Sequence, residues 1–117
     1  MTNERNTPQN KLKMTIGLAA KAGKAVYGTP LICESLRAKG TKKCVMVLEG
    51  SDTSENTHKR LADKCAFYEV PLYRLSISMA ELSEAVGKKN AVAAIGIRDE
   101  GLAGAILAKL QELSPQS

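Results

Sequence analysis

Short, continuous runs of apolar residues are the feature that most limits how this chain can fold. The runs Cys44–Leu48 and Ala91–Ile97 are each preceded by polar or charged residues, Lys42 and Lys43 in the first case and Lys88–Asn90 in the second. A run of this kind is typical of a strand that is buried on both faces of a sheet. We therefore expect helices to cover both faces of a sheet that contains these two strands.

The rest of the chain supplies the helices and two further short strands. Caps, helix-ending glycines and apolar spacing predict a helix from Asn10 to Gly23, a second from Pro30 to about Ala38 with Thr29 as its N-cap, a third capped near Ser54, a fourth opened by Ser78 and Glu81, and a last with a stripe of Leu102, Ile106, Leu110 and Leu113. Strands are predicted at Ala25–Tyr27 and Leu72–Leu75, and a loop at Glu49–Thr53. This alternation predicts an α/β fold, a three-layer α/β/α sandwich with about four strands and five helices around a mixed sheet.

The length of 117 residues suits one domain with a single hydrophobic core. The polar residues 1–9, which include Pro8, predict a flexible N-terminal tail, and residues 10–117 form the predicted domain. No apolar leader begins the chain and no later run approaches ~18 apolar residues, so we expect a cytoplasmic protein that does not enter a membrane. Three cysteines without a CxxC pair favour free thiols in a reducing compartment.

Positive charge is concentrated in the first part of the chain. From Lys11 to Lys43 eight basic residues face one acid, a balance of +7, whereas from Cys44 to the end eight basic residues face ten acids, a balance of −2. Such asymmetry is typical of a face that attracts a polyanion, and nucleic acid is the commonest one in cytoplasm. Composition alone is equally consistent with a binding face and with a lysine-rich surface that only keeps the protein in solution.

The turn before the second predicted helix is the best candidate for an anion site. A tight turn at Gly28–Pro30 leaves the first backbone N–H groups of that helix unpaired, at the positive end of its dipole, where phosphate fits. Lys21 and Lys24 precede the turn and Arg37 follows it, so charge and donors are expected to converge on one polyanion. The same spacing is equally consistent with a turn that only starts a helix.

The residues that usually carry catalysis are missing or isolated. The sole histidine, His58, has a helical spacing that predicts a solvent-facing side chain, and no cysteine has an assigned base to activate it. No Walker A, GxGxxG, HExxH or GxSxG motif and no close acidic cluster occurs in the sequence. We expect no catalytic activity, no cofactor and no metal. Aromatic residues make up 3% of the chain, which argues against an RRM or OB-type RNA reader with a stacking platform.

Four segments together resemble a known family. They are Ile16-Gly-Leu-Ala-Ala-Lys-Ala-Gly-Lys24, Tyr27-Gly-Thr29, Ser54-Glu-Asn-Thr57 ahead of Lys64-Cys65, and Val86-Gly87 before an apolar strand. Their order and spacing are similar to those of the bacterial YlxQ-like proteins, which belong to the ribosomal protein L7Ae/L30e superfamily. The resemblance covers the chain from about residue 10 to residue 113.

The resemblance implies an α/β/α sandwich that binds structured RNA, typically a kink-turn, which is a sharply bent helix with tandem sheared G·A pairs. In the family, the turn before the second helix carries glycine, a small residue, asparagine and glutamate. Here Gly28 and Thr29 match, while Pro30 and Leu31 stand at the positions whose amide and carboxylate read guanine edges. Glu34 stands where a family lysine lies near phosphate.

A second contact of the family is an apolar loop after the fourth helix, which packs against an extruded base. In this chain Lys88, Lys89 and Asn90 occupy that loop. The RNA-binding residues implied by charge and resemblance together are Lys21, Lys24, Gly28, Thr29, Pro30, Leu31, Arg37, Lys88, Lys89 and Asn90. The implied partner is ribosomal or other non-coding RNA, alone or with ribosome or ribonucleoprotein components, bound by a monomer.

Other functions remain open at the level of sequence. The first alternative is a protein-interaction module, because the superfamily that the chain resembles also includes members that bind proteins, and the altered loops permit this function. The chain is also similar to the accessory RNA-binding part of an RNA-processing or RNA-modifying enzyme, such as an RNA 2′-O-methyltransferase. A small hydrolase that uses Cys33, Cys44 or Cys65 would require one of these thiols to have a low pKa.

Overall fold

The computed structural model describes residues 7–113. Its elements follow the predicted alternation of helices and strands. In chain order they are α1 (Pro8–Lys21), β1 (Ala25–Tyr27), α2 (Thr29–Arg37), a 3-10 turn (Gly40–Lys42), β2 (Met46–Glu49), α3 (Glu55–Phe67), β3 (Leu72–Arg74), α4 (Met79–Ala85), β4 (Ala94–Ile97) and α5 (Glu100–Leu113). The predicted fold class is confirmed, with five α-helices and four strands in this part of the chain.

The four strands form one mixed sheet in the order β1-β4-β2-β3. β4 is antiparallel to both of its neighbours, β1 and β2, whereas β2 and β3 are parallel. All residues of β2 and β4 are buried, as predicted for strands covered on both faces. β1 and β3 lie at the two sides of the sheet and are only partly buried.

Two apolar cores fill the space between the sheet and its helices. On one face α1, α4 and α5 pack on the sheet, with Leu12, Leu82 and Ile106 among their buried side chains. On the other face α2 and α3 pack through Ile32, Leu61 and their neighbours. Together with the sheet, these helices form the three layers that the sequence predicts.

Several predicted helix ends are confirmed, because local chemistry sets them. The Ser54 side chain accepts the N–H of Thr57 at the start of α3. Ser78 and Glu81 form a complete capping box at α4, and the hydrogen bond from the Ser78 N–H, followed by the bond from Lys13, lowers the pKa of Glu81. Gly23 follows the last turn of α1 with a φ of 73°.

Several predicted bounds differ from the structure, among them the first residues of β2 and β4, which are Met46 and Ala94 rather than Cys44 and Ala91. The predicted tail of residues 1–9 overlaps α1, since the Thr7 side chain caps the helix and Pro8 begins it, while residues 1–6 lie outside the described residues. The N-cap of α2 is Gly28 rather than Thr29, because glycine adopts the φ of 87° that the turn requires. Glu49, predicted to lie in a loop, is the last residue of β2 and is fully buried.

Gly96 in β4 faces Cys44 so closely that an added methyl group would overlap the Cys44 sulfur. We therefore expect Gly96→Ala to lower the free energy of unfolding by about 1–3 kcal/mol, the usual cost of overpacking a core. Gly104→Ala in α5 is the matched control, because nothing lies within 4 Å of its added methyl group. Its higher helix propensity should raise the free energy of unfolding by about 0.5–1 kcal/mol. Urea denaturation of both variants tests the packing, and equal effects would contradict it.

Candidate nucleic-acid interface

Four loops meet at one end of the strands, and we use the word edge for each of the two ends of the sheet. Because β4 runs opposite to the other strands, β1, β2 and β3 end where β4 begins, with Tyr27 and Leu48 both paired to Ile95 and Glu49 paired to Ala94. We call this the upper edge, and the end at which β1, β2 and β3 start is the lower edge. The turn before α2 and the loop between α4 and β4 therefore lie at the same edge.

The turn before α2 is fixed by its backbone. The Gly28 N–H donates to the carbonyl of Ala94 at 3.1 Å, which fastens the turn to the first residue of β4. No side chain caps the start of α2 in the described structure, and Pro30 has no N–H to donate. The N–H groups of Thr29 and Leu31 therefore remain at the positive end of the α2 dipole.

A contact between Lys88 and Tyr27 joins the two predicted binding segments. The Lys88 ammonium lies 4.3 Å from the centre of the Tyr27 ring, within the range of a cation–π interaction. Burial raises the pKa of Tyr27, so the ring stays neutral. Lys21, at the end of α1, lines the same groove of about 420 Å³ together with Tyr27, Glu84 and Lys88. We call this the α1–α4 groove.

Ser83 of α4 shapes the loop that carries Lys88, and sequence reasoning missed it. Its buried hydroxyl accepts the N–H of Val92 at 2.7 Å and donates to the carbonyl of Met79 at 2.8 Å. Its own carbonyl accepts the N–H of Lys88 at 2.9 Å. One residue thus holds both ends of the loop, and no local sequence signal distinguishes it from any other serine in a helix.

The remaining predicted residues divide between the two edges. Pro30, Leu31, Lys89 and Asn90 are exposed and follow directly from segments at the upper edge. Lys24 precedes β1 at the lower edge, where its carbonyl accepts the N–H of Arg98. Arg37 ends α2, eight residues after Thr29 or roughly 12 Å along the helix. The structure therefore brings Lys21, Gly28, Thr29 and Lys88 together but not Lys24 or Arg37.

A hydrogen bond at the upper edge joins His58 to a buried acid that the sequence did not predict. Nδ1 of His58 lies 2.7 Å from a carboxylate oxygen of Glu49, whose side chain is fully buried, while 39% of the His58 side chain remains exposed to solvent as predicted. The Thr53 hydroxyl also donates to Glu49, and the guanidinium of Arg74 lies 4.0 Å from it. These contacts join α3, β2 and β3. The sequence did not predict the contact between His58 and Glu49, because the spacing of apolar residues does not show that the acid following them is buried.

The two buried cysteines are protected rather than activated. Cys44 and Cys65 are buried and Cys33 is partly buried, and none of the three forms a disulfide. Burial raises the pKa of Cys44 and, chiefly for the same reason, raises the pKa of Cys65 to about 11. Both thiols are therefore protonated at neutral pH. Among residues 7–113, no group of three or more His, Cys, Asp or Glu side chains is placed to hold a metal ion.

None of the helices in the described part of the chain is both long enough and apolar enough to span a membrane.

Comparison with known sequences finds one family across most of the chain. The family model described as ribosomal protein L7Ae/L30e/S12e/Gadd45 matches residues 10–106. Over 95 residues the chain is 40% identical to the RNA-binding protein YlxQ of Enterococcus faecium, an alignment that covers 81% of this chain and 86% of the relative. Over 95 residues it is 36% identical to the RNA-binding protein YlxQ of Bacillus subtilis (strain 168), which covers 81% of this chain and 90% of that relative.

Solved structures show the same fold. A protein of unknown function from Bacillus halodurans C superposes with a TM-score of 0.77 at 27% identity, covering 86% of this chain and 97% of the other. The Giardia lamblia 15.5kD RNA binding protein superposes with a TM-score of 0.70 at 14% identity, covering 97% and 92%. At that identity the second likeness shows the fold alone.

The role of Ser83 is tested by Ser83→Ala. The Val92 N–H would lose its acceptor, which we expect to lower the free energy of unfolding by about 1–3 kcal/mol and to speed hydrogen exchange at the Val92 amide. Ser51→Ala, at an exposed position, is the control and should change neither. Unchanged exchange at Val92 in the Ser83 variant would show that the loop is held by other contacts.

The raised thiol pKa values predict slow alkylation. At pH 8, iodoacetamide should modify Cys65 only through unfolding, because its pKa of about 11 keeps it protonated and burial excludes the reagent. Cys33, which is only partly buried, should react first. Mass spectrometry after timed alkylation measures the order, and rapid labelling of Cys65 in the folded protein would refute the prediction.

Proposed function

The chain belongs to the ribosomal protein L7Ae/L30e/S12e/Gadd45 family, and from that membership we propose that it binds structured RNA of the kink-turn type through its upper edge. The observation that carries the proposal is the contact of Lys88 with Tyr27, which sets the loop after α4 beside the turn before α2. Two relatives at 36–40% identity are named RNA-binding proteins, which supports the same class of partner.

Phosphate is the proposed ligand of the turn before α2. The N–H groups of Thr29 and Leu31 point from the positive end of the helix dipole, a common arrangement for binding an anion. Lys21 and Lys88 add two positive charges in the adjoining α1–α4 groove, against the one negative charge of Glu84. Donors and charge at this edge therefore favour the RNA backbone.

Base recognition is proposed to be weak. Neither the Pro30 ring nor the Leu31 side chain has a hydrogen-bonding atom to read a guanine edge. The exposed Lys89 and Asn90 extend the interface from the loop after α4, where Asn90 offers both a donor and an acceptor. We propose that affinity depends mainly on phosphate charge and RNA shape.

Lys24 and Arg37 are proposed to contact only an RNA that extends past the upper edge. Lys24 lies before β1 at the lower edge, and Arg37 is the last residue of α2, which leads away from the upper edge. A short bent stem centred on Gly28 therefore does not reach them. A longer ribosomal or other non-coding RNA, within a ribonucleoprotein particle, would cover both edges. The proposed role of the monomer is binding and not catalysis.

Lys88→Ala is the sharpest test of the interface. Loss of one charge-assisted contact to phosphate should weaken binding to a minimal kink-turn RNA roughly tenfold, measured by fluorescence anisotropy. Lys64→Ala removes the same charge from an exposed position on α3 and is the matched control, with an expected change below about twofold. Lys24→Ala should behave like the control on the minimal RNA and lower affinity on a longer one. Equal effects of Lys88→Ala and Lys64→Ala on the minimal RNA would contradict the proposed interface.

Binding should also be sensitive to salt. If ~4 phosphates are neutralised, the slope of log affinity against log salt concentration should be about −3, since each contact contributes about −0.7 to −0.9. Anisotropy titrations between 50 and 300 mM potassium chloride, roughly the range in which counterion release is measured, give the slope. A slope near zero would show that phosphate contacts do not drive binding.

A further inference from the structure

The outer side of β1 is open, and a groove runs along it. β1 is a terminal strand of the sheet, and among the strands of residues 7–113 it pairs with β4 alone. Beside it lies a groove of about 450 Å³, lined by Val26, Leu31, Glu34, Ala38, Lys42 and Arg98 among others. We call this the β1–α2 groove. It lies on the face of the sheet that α2 covers, whereas Tyr27 turns its ring to the opposite face, toward Lys88.

The backbone of β1 offers unused hydrogen-bonding groups to this side. The carbonyl of Lys24 and the N–H of Gly28 both point to β4, since they bond to Arg98 and Ala94. Residues of a strand alternate in the direction of their backbone groups, so those of Ala25 and Tyr27 point away from β4. Within residues 7–113, no backbone hydrogen bond occupies them. An additional strand would find donors and acceptors there at the correct spacing.

α2 supplies a floor for the side chains of such a strand. The side of α2 that lines the groove presents Leu31, Glu34 and Ser35, and Ala38 follows at the C-cap of the helix. Leu31 is 55% exposed, the largest apolar surface of the groove at its upper end. An apolar side chain of an added strand would cover Leu31 and remove this surface from water.

At the lower end of the groove, one hydrogen-bond donor of Arg98 has no acceptor among the described residues. Arg98 donates from its two terminal nitrogens to the carbonyls of Gly23 and Thr41, at 2.5 and 3.2 Å. Its Nε atom is buried and has no hydrogen-bond partner among the described residues. A buried donor without a partner is costly. Lys42 lines the same end, so an incoming carboxylate would meet two positive charges there, against the one negative charge of the exposed Glu34 on α2.

We infer that the β1–α2 groove binds an extended, acidic segment of a partner protein, which adds a fifth strand beside β1. The segment carries an apolar residue over Leu31 and, two residues along, an acid directed at Arg98 and Lys42. Residues two apart on a strand lie on the same face about 7 Å from each other, which spans the distance from the Tyr27 end to the Ala25 end of β1. This inference does not depend on the proposed RNA interface.

Charge and geometry favour this occupant over two others. A second copy of the chain would pair its own β1 here, and the three residues of that strand supply no carboxylate to Arg98 and Lys42. An RNA strand has no backbone with alternating N–H and C=O groups to match Ala25 and Tyr27. An acidic peptide satisfies both the strand and the positive end of the groove.

The probe is a seven-residue peptide with leucine at its third position, aspartate at its fifth and threonine elsewhere. We expect it to bind the whole chain with a dissociation constant below about 1 mM. Amide hydrogen exchange followed by NMR should slow at Ala25 and Tyr27 and stay unchanged in α5. The same peptide with lysine in place of aspartate should bind at least tenfold more weakly.

Ala38→Glu tests the groove from the protein side. The new carboxylate lies beside Lys42 and Arg98 and competes with the peptide, so peptide affinity should fall at least tenfold. Ala108→Glu, at an exposed position of α5, is the matched control and should leave it unchanged. Circular dichroism checks that both variants fold, and the exchange measurement on the unaltered chain stands independently of either.

Three results obtained with the unaltered chain would overturn the inference. They are equal binding of the aspartate and lysine peptides, peptide binding without slower exchange at Ala25 and Tyr27, and association of the chain into dimers that excludes the peptide. Loss of binding to a minimal kink-turn RNA in Ala38→Glu would also overturn it, because the groove would then belong to the RNA surface. Retained RNA binding with lost peptide binding supports it, and failure of RNA binding in the unaltered chain bears only on the proposed function.

Discussion

Two backbone carbonyls at the start of β4 hold the upper edge together. The carbonyl of Ala94 accepts the N–H of Gly28 at 3.1 Å on one side, and the carbonyl of Ala93 accepts the N–H of Gly50 at 3.0 Å on the other. Successive strand residues direct their backbone groups to opposite neighbours, so one short segment fixes both loops. The position of the turn before α2 therefore depends on backbone bonds rather than on side chains, and it tolerates proline and leucine at the next positions.

The parts of the fold that the sequence predicts are those set by neighbouring residues. Helix caps such as Ser78 with Glu81, the helix-ending Gly23 and the doubly buried strands all follow from local spacing and turn chemistry. The order β1-β4-β2-β3 does not follow from them, because it depends on contacts between distant segments. Glu49 shows the limit most clearly, since its burial is stabilised by partners on α3 and β3 that no local pattern identifies.

The candidate site was predictable in its segments but not in its geometry. Charge counting places Lys24 beside the turn at Gly28, yet β1 runs between them from one edge of the sheet to the other. Strand direction therefore separates groups that are close in sequence, and it brings Tyr27 within 4.3 Å of the Lys88 ammonium, 61 positions later. The role of Ser83 is likewise set by contacts distant in sequence, because it accepts hydrogen bonds from Lys88 and Val92 at the two ends of the loop.

β1 serves both proposed surfaces, and this has a thermodynamic consequence. The Tyr27 ring lies in the α1–α4 groove, whereas its backbone groups face the β1–α2 groove. β1 has three residues and pairs with one neighbouring strand, so pairing along its outer side would hold its backbone from both sides. A ligand that orders β1 from one side lowers the entropy cost of binding on the other. Because such coupling is reciprocal, RNA and the acidic strand would then each favour the binding of the other.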